Sequence, residues 1–142
     1  MRDAVIVFAV IVFGALMVAA LLSQRGTPRG PNEGRLAPVG PKPNTVSSEE
    51  GVPEDARVAP LAGTLADAKA AILATGGTIV TETDDYLAAT YATRLFRFVD
   101  DVEVRDAGGG VVHIRSGSRV GYSDMGANKK RVARIRAAMS RT

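Results

Sequence analysis

The run Arg115-Ser-Gly-Ser-Arg-Val-Gly-Tyr-Ser-Asp-Met-Gly-Ala-Asn-Lys-Lys-Arg131 holds five basic side chains, one carboxylate and three glycines in seventeen positions. Arg115, Arg119 and Arg131 can supply charge-assisted donors, and a helix beginning near Ala127 offers free backbone amides at its positive end. Together they suit an anion. Asp124 competes for the same amides, because its carboxylate, or the hydroxyl of Ser123, can cap that helix, while Asn128 can bond back to the turn. With the carboxylates upstream, the candidate binding residues are Asp100, Asp101, Arg115, Ser116, Ser118, Arg119, Ser123, Asp124, Asn128 and Arg131.

Asp100 interrupts an alternating segment, Phe96-Arg-Phe-Val-Asp-Asp-Val-Glu-Val-Arg105, in which Phe96, Phe98, Val102 and Val104 share one parity. By that parity Asp100 falls on the core face, where a carboxylate is costly unless paired or hydrogen-bonded. A bulge at Asp100-Asp101 is the expected way to move it out. A hairpin centred on Gly108 sets Asp100 opposite Ser116 and Asp101 opposite Arg115. One reading is a cross-strand ion pair of a fraction of a kcal/mol, and the other a carboxylate held beside arginines in a pocket.

Catalytic chemistry has little to draw on. There is no cysteine, which excludes disulfides, thiol catalysis and cysteine zinc sites. His113, the single histidine, shares a parity with Arg115, Asp101 and Glu103, but no nucleophile spacing accompanies it. One histidine with scattered carboxylates does not make a metal centre. The residues therefore point to no catalytic group, no metal and no cofactor.

Positioning these side chains requires a small sheet. Thr64-Leu-Ala-Asp67 reads as a capping-box-like helix start, Leu65, Ala68 and Ile72 form one face, and Gly76-Gly77 ends the helix. Strands are expected over 78–83, 86–93, 96–105 and 111–120, with the glycine run after Asp106 joining the last two as a hairpin. A final helix from about Ala127 to Ser140 carries Val132, Ile135 and Met139 as its buried stripe. Helix, four strands, helix makes an α+β domain of two layers: a four-stranded antiparallel sheet covered by two helices.

That domain is expected to span 58–142, after two other segments. From Ala4 to Leu22 the chain runs 19 positions without a charge, about 28 Å as a helix and enough to cross a bilayer core. The length favours an uncleaved anchor over a signal peptide. Residues 23–57 hold six of the seven prolines and five glycines, and read as a flexible tether; within it Val46, among turn formers, could mark a short ordered arm. Charge is divided too. Residues 1–113 carry ten basic and fourteen acidic side chains, whereas 114–142 carry eight basic against Asp124 alone. Such a basic end can face anionic lipid or an acidic protein.

The pieces Arg115-Ser-x-Ser-Arg-x-Gly-x-Ser-Asp-x-Gly-x-Asn-x-x-Arg131 and Phe98-x-Asp-Asp-x-Glu103, with Pro43-Asn-Thr-Val-Ser-Ser48 and Ala59-Pro-Leu61 upstream, closely resemble the signature of a family known as domain of unknown function 1499. The resemblance covers Pro43 to the end. The family usually has cysteine where this chain has Thr45, so any role of that thiol is absent. Its activity is not established. Its members are often exported or membrane-tethered, which implies a domain outside the cytoplasm, against the slight positive-inside bias of Arg25, Arg29 and Arg35.

The expected function is therefore a non-catalytic binding or accessory module. It would be anchored by Ala4 to Leu22 in a bacterial inner membrane, with its domain in the periplasm and an anionic lipid or membrane protein as partner. The alternative is an enzyme or a carrier of small anions or lipids using Asp100, Asp101, Arg115, Arg119 and Arg131. Nucleic acid is not expected, because the basic helix lacks interleaved aromatics.

Overall fold

The computed structural model describes residues 1–141. Helix α1, Arg2–Gln24, is the apolar run; its mean hydropathy of 3.1 and its length are sufficient to cross a membrane, and nearly all of its side chains are exposed. The domain helices form where local signals place them. In α2, Leu65–Ala74, Thr64 Oγ1 accepts from the Asp67 amide at 3.2 Å and Asp67 returns a bond to the Thr64 amide at 2.8 Å, closing a capping box. Helix α3 is Ala127–Met139.

Ahead of α2 lie a two-residue hairpin, β1 Pro31–Asn32 with β2 Arg35–Leu36, then β3 Thr45–Ser47 and β4 Leu61–Ala62. After α2 come β5 Thr78–Glu82, β6 Tyr86–Ala92, β7 Val99–Asp106 and β8 Val111–Ser118. The main sheet is antiparallel and has six strands rather than the expected four. Its order is β3-β8-β7-β6-β5, and β4 shares the β8 edge with β3. The two added strands are three and two residues long, too short for period-two alternation to reveal them.

Strand β3 draws the supposed tether into the domain. Thr45 opposes Gly117 so closely that a Cβ on Gly117 would stand 2.7 Å from Thr45 Oγ1. The stretch read as tether is thus packed on the sheet instead of hanging free: Leu36 meets Tyr86 and Ala88 and Glu49 reaches Arg105 on one face, while Val46 of β3 enters the core. The opposite face carries the core, where Val102, Val104, Val112 and Ile114 meet Ile72 of α2 and Val132 and Ile135 of α3. The sheet is therefore covered twice, by helices on one side and by an irregular strap on the other.

Two details of β7 depart from expectation. Phe96 and Phe98 lie outside it, because residues 93–98 form a loop in which the Thr93 and Phe98 backbones bond across and Arg97 takes φ +59°. The β7–β8 register is centred on Gly109, since Gly108, Gly109 and Gly110 all adopt positive φ and make a three-glycine loop. Moving the centre by one residue moves every partner by two. Asp100 consequently opposes Ser118, Asp101 opposes Gly117 and Glu103 opposes Arg115.

Candidate functional site

The ladder runs unbroken through Asp100 and Asp101, with no bulge, so the two carboxylates point to opposite faces of the sheet. This divides the ten candidate residues between the two faces, with Ser118 at the end of β8 bordering both.

Under α3, Asp100 accepts from Arg131 Nη2 at 2.7 Å, and Arg131 Nη1 donates to Asn128 Oδ1 at 2.6 Å. The Ser116 hydroxyl donates to the same Asn128 oxygen. The Asn128 amide nitrogen donates to Asp124 Oδ2 at 2.7 Å and to Ser118 Oγ and the Asn44 carbonyl at 3.0 Å each. Asp124 also takes the backbone amides of Gly126 and Asn128, while Ser123 takes that of Met125. Burial pushes the Asp124 carboxyl up, but those amides outweigh it and hold it below its usual range. The helix N-terminus is thus filled by the protein's own carboxylate. The guanidinium carbon of Arg131 lies over the Tyr91 ring, 4.9 Å from its centre, and its buried Nε has no hydrogen-bond partner. Apart from that nitrogen, the buried side-chain polar atoms of this network are bonded within the protein.

The strap side differs. Arg119 forks onto Asp101 with bonds of 2.9 and 2.6 Å, and its Nη1 donates to the carbonyls of Ser23 and Gly26. Arg115 Nη1 donates to Glu103 at 3.1 Å, and Glu103 also accepts from Tyr86 Oη at 2.6 Å and the Gly30 amide at 2.8 Å. The expected Asp101–Arg115 pair is replaced by these two, a direct result of the shifted register. Burial, and next the bond to Glu103, push the Tyr86 phenol far up, so it stays a neutral donor. His113 Nδ1 sits 3.0 Å from both the hydroxyl and the carbonyl oxygen of Ser48, which ties it to the strap.

Between strap and sheet a cleft of about 360 Å³ remains, walled by Arg29, Lys42, Asp101, Arg115, Ser118 and Arg119 among others. Arg115 is 5% exposed, and its Nε has no hydrogen-bond partner. Burial draws its guanidinium below the ordinary value, Glu103 opposes that, and Arg29 adds to it by repulsion. Arg29 and Lys42 are exposed, and neither meets a carboxylate among the described residues. The cleft therefore holds two unneutralised cations, while the unbonded Nε of Arg115, like that of Arg131, is shut off from solvent.

Sequence reasoning missed Arg29 and Lys42, which lie in the segment read as tether and whose position depends on β3 pairing with β8. It had Glu103 only as part of a motif. Further from the cleft, Glu49 is 6% exposed and bonds Arg105, Arg35 and the Leu36 amide. Burial pushes its carboxyl up, but Arg105, the Leu36 amide and Arg35 together hold it down at about 2. Among the described residues no group of three histidines or carboxylates could hold a metal ion.

A family model described as a protein of unknown function, DUF1499, matches residues 35–139. The match begins inside the strap, as it must if β3 belongs to the domain. No curated protein and no solved structure matches the chain.

Proposed function

The chain belongs to the DUF1499 family, and within it we propose that this protein is a membrane-anchored, non-catalytic binding module that takes an anionic group in the cleft between strap and sheet. The observation that carries this reading is the charge of the cleft, where the free cations Arg29 and Lys42 stand beside the guanidinium of Arg115, buried to 5% exposure. A phosphate or carboxylate there would neutralise Arg29 and Lys42 and accept charge-assisted hydrogen bonds from them. The cleft offers positive charge and donors, and beside its hydroxyls, Thr27, Thr45 and Ser118, its carboxylate Asp101 is already paired with Arg119, which favours binding over turnover. Helix α1 is read as the anchor, with the domain on the periplasmic side of a bacterial inner membrane. The ligand-bearing cleft then opens within a few residues of the membrane surface, where an anionic lipid or a membrane protein is the available partner.

The test uses the full-length protein in mild detergent with inorganic phosphate as probe. The melting temperature should rise with phosphate beyond the rise in chloride at matched ionic strength. The double variant Arg29→Ala, Lys42→Ala should melt at the same temperature without phosphate and lose the specific rise. An equal rise in both proteins would overturn the assignment of the cleft.

A further inference from the structure

Residues 93–98 lie against α1 rather than in the sheet. Ser23 Oγ accepts from the Val99 amide at 3.1 Å, and Gln24 Nε2 donates to the Arg97 carbonyl at 3.3 Å, so the base of the loop is fixed to the end of α1. From there the loop runs back along the helix. The Phe96 ring stands edge-on to Phe13 with centroids 6.1 Å apart, and Phe98 is 6.1 Å from Phe96. Phe13 precedes Ser23 by ten residues, about 15 Å along the helix axis. A side chain that touches it reaches well below the point where α1 leaves the apolar run.

The tip matches that depth. Leu95 is 81% exposed and Phe13 58%, an apolar surface that nothing in the protein covers. Arg94 and Arg97 flank it, both exposed and without a carboxylate partner among the described residues. Apolar residues between arginines on a short loop are the pattern of an insertion in which the rings enter the hydrocarbon beside Phe13 while the long arginine stems carry their guanidiniums back toward the headgroups. Arg97 is held at φ +59°, an uncommon conformation for a side-chain-bearing residue, between Phe96, which meets α1, and Phe98, which packs on Phe96.

We propose that the loop of residues 93–98 is a second membrane contact, with Leu95 and Phe96 seated in the same bilayer that α1 crosses. The proposal rests on the reading of α1 as a membrane span. Two attachments fix an orientation that one helix cannot. With Arg119 bonded to the Ser23 and Gly26 carbonyls, the mouth of the cleft is then held at headgroup level.

The chain has no tryptophan, so single-tryptophan variants of the full-length protein report depth directly. Phe13→Trp, Leu95→Trp, Phe96→Trp and Ala107→Trp are placed in vesicles of phosphatidylglycerol and phosphatidylethanolamine with and without brominated acyl chains. Ala107 is exposed at the far end of β7, about 25 Å from Val99. Bromine should quench Leu95→Trp and Phe96→Trp by about the same fraction as Phe13→Trp and leave Ala107→Trp unchanged. Quenching of Phe13→Trp alone, with Leu95→Trp and Phe96→Trp behaving like Ala107→Trp, would overturn the loop insertion and leave the span intact. If Phe13→Trp is itself unquenched, the membrane span fails and the loop contact fails with it.

Discussion

The two faces of the sheet are built from the same residue types and come to different ends. Asp100 and Arg131 under α3, and Asp101 and Arg119 under the strap, are both close, well-aligned pairs of 2.7 and 2.6 Å on neighbouring positions of β7. The difference lies in the cover. Helix α3 lies directly on the sheet, so Asn128 of the helix and Ser116 and Tyr91 of the strands close around Arg131. An irregular strap touches the sheet at intervals, at Gly30, Leu36 and Glu49, and leaves between contacts the cleft in which Arg29 and Lys42 stand unneutralised. A polar motif becomes scaffold where its cover is continuous and a candidate site where the cover is broken.

The sharpest way to break this comparison is at Arg131. Arg131→Met leaves Asp100 buried without a partner, and the expected loss is about 3–5 kcal/mol in urea unfolding. Adding Asp100→Asn should recover part of it, because the two residues share one interaction. Phosphate binding by any folded fraction should be unaffected. A strictly additive double variant would remove Asp100–Arg131 from the scaffold.

On the strap side the largest effect is expected at Glu49. Its carboxyl is held at about 2 in the folded protein against 4.5 ordinarily, so its contribution is fully present above about 4.5 and is lost as pH falls toward 2. Glu49→Gln should cost about 2–3 kcal/mol at neutral pH, and the difference from the parent protein should vanish by about pH 2. A difference that persists unchanged down to that pH would show that the strap is held by packing and not by this carboxylate.

The smallest effect on stability belongs to Arg29 and Lys42. Each alanine variant should shift the urea midpoint by less than about 0.5 kcal/mol, as solvated surface changes do. If either costs as much as Glu49→Gln, the cleft cations are structural and the contrast between the faces collapses.

Much of the helix-covered face was legible. Parity placed Val102, Val104, Val112 and Ile114 together, marked Asp100 as a carboxylate on the core side, and put Val132 and Ile135 above them. The escape proposed for Asp100 was wrong, because Arg131 lies twenty-five residues beyond the hairpin loop's Asp106 and only the packed helix brings it over. The register was off by two because a run of three glycines does not say which residue sits at its centre. The strap was the least legible part. Strands of two and three residues among prolines carry no period, and the positions of Arg29 and Lys42 follow from pairing that exists only once β8 is in place.

That long-range closure governs the order of folding. Arg119 fastens to Ser23 across 96 residues of chain, and Asn128 fastens to Asn44 across 84. During synthesis the strap emerges first and has no sheet to lie on until nearly the last strand has followed. Non-local pairing of this kind is slow, and β6 through β8 form the hairpins that can assemble earlier. Docking of the strap is therefore the final step, and the cleft between strap and sheet is the last part of the molecule to exist.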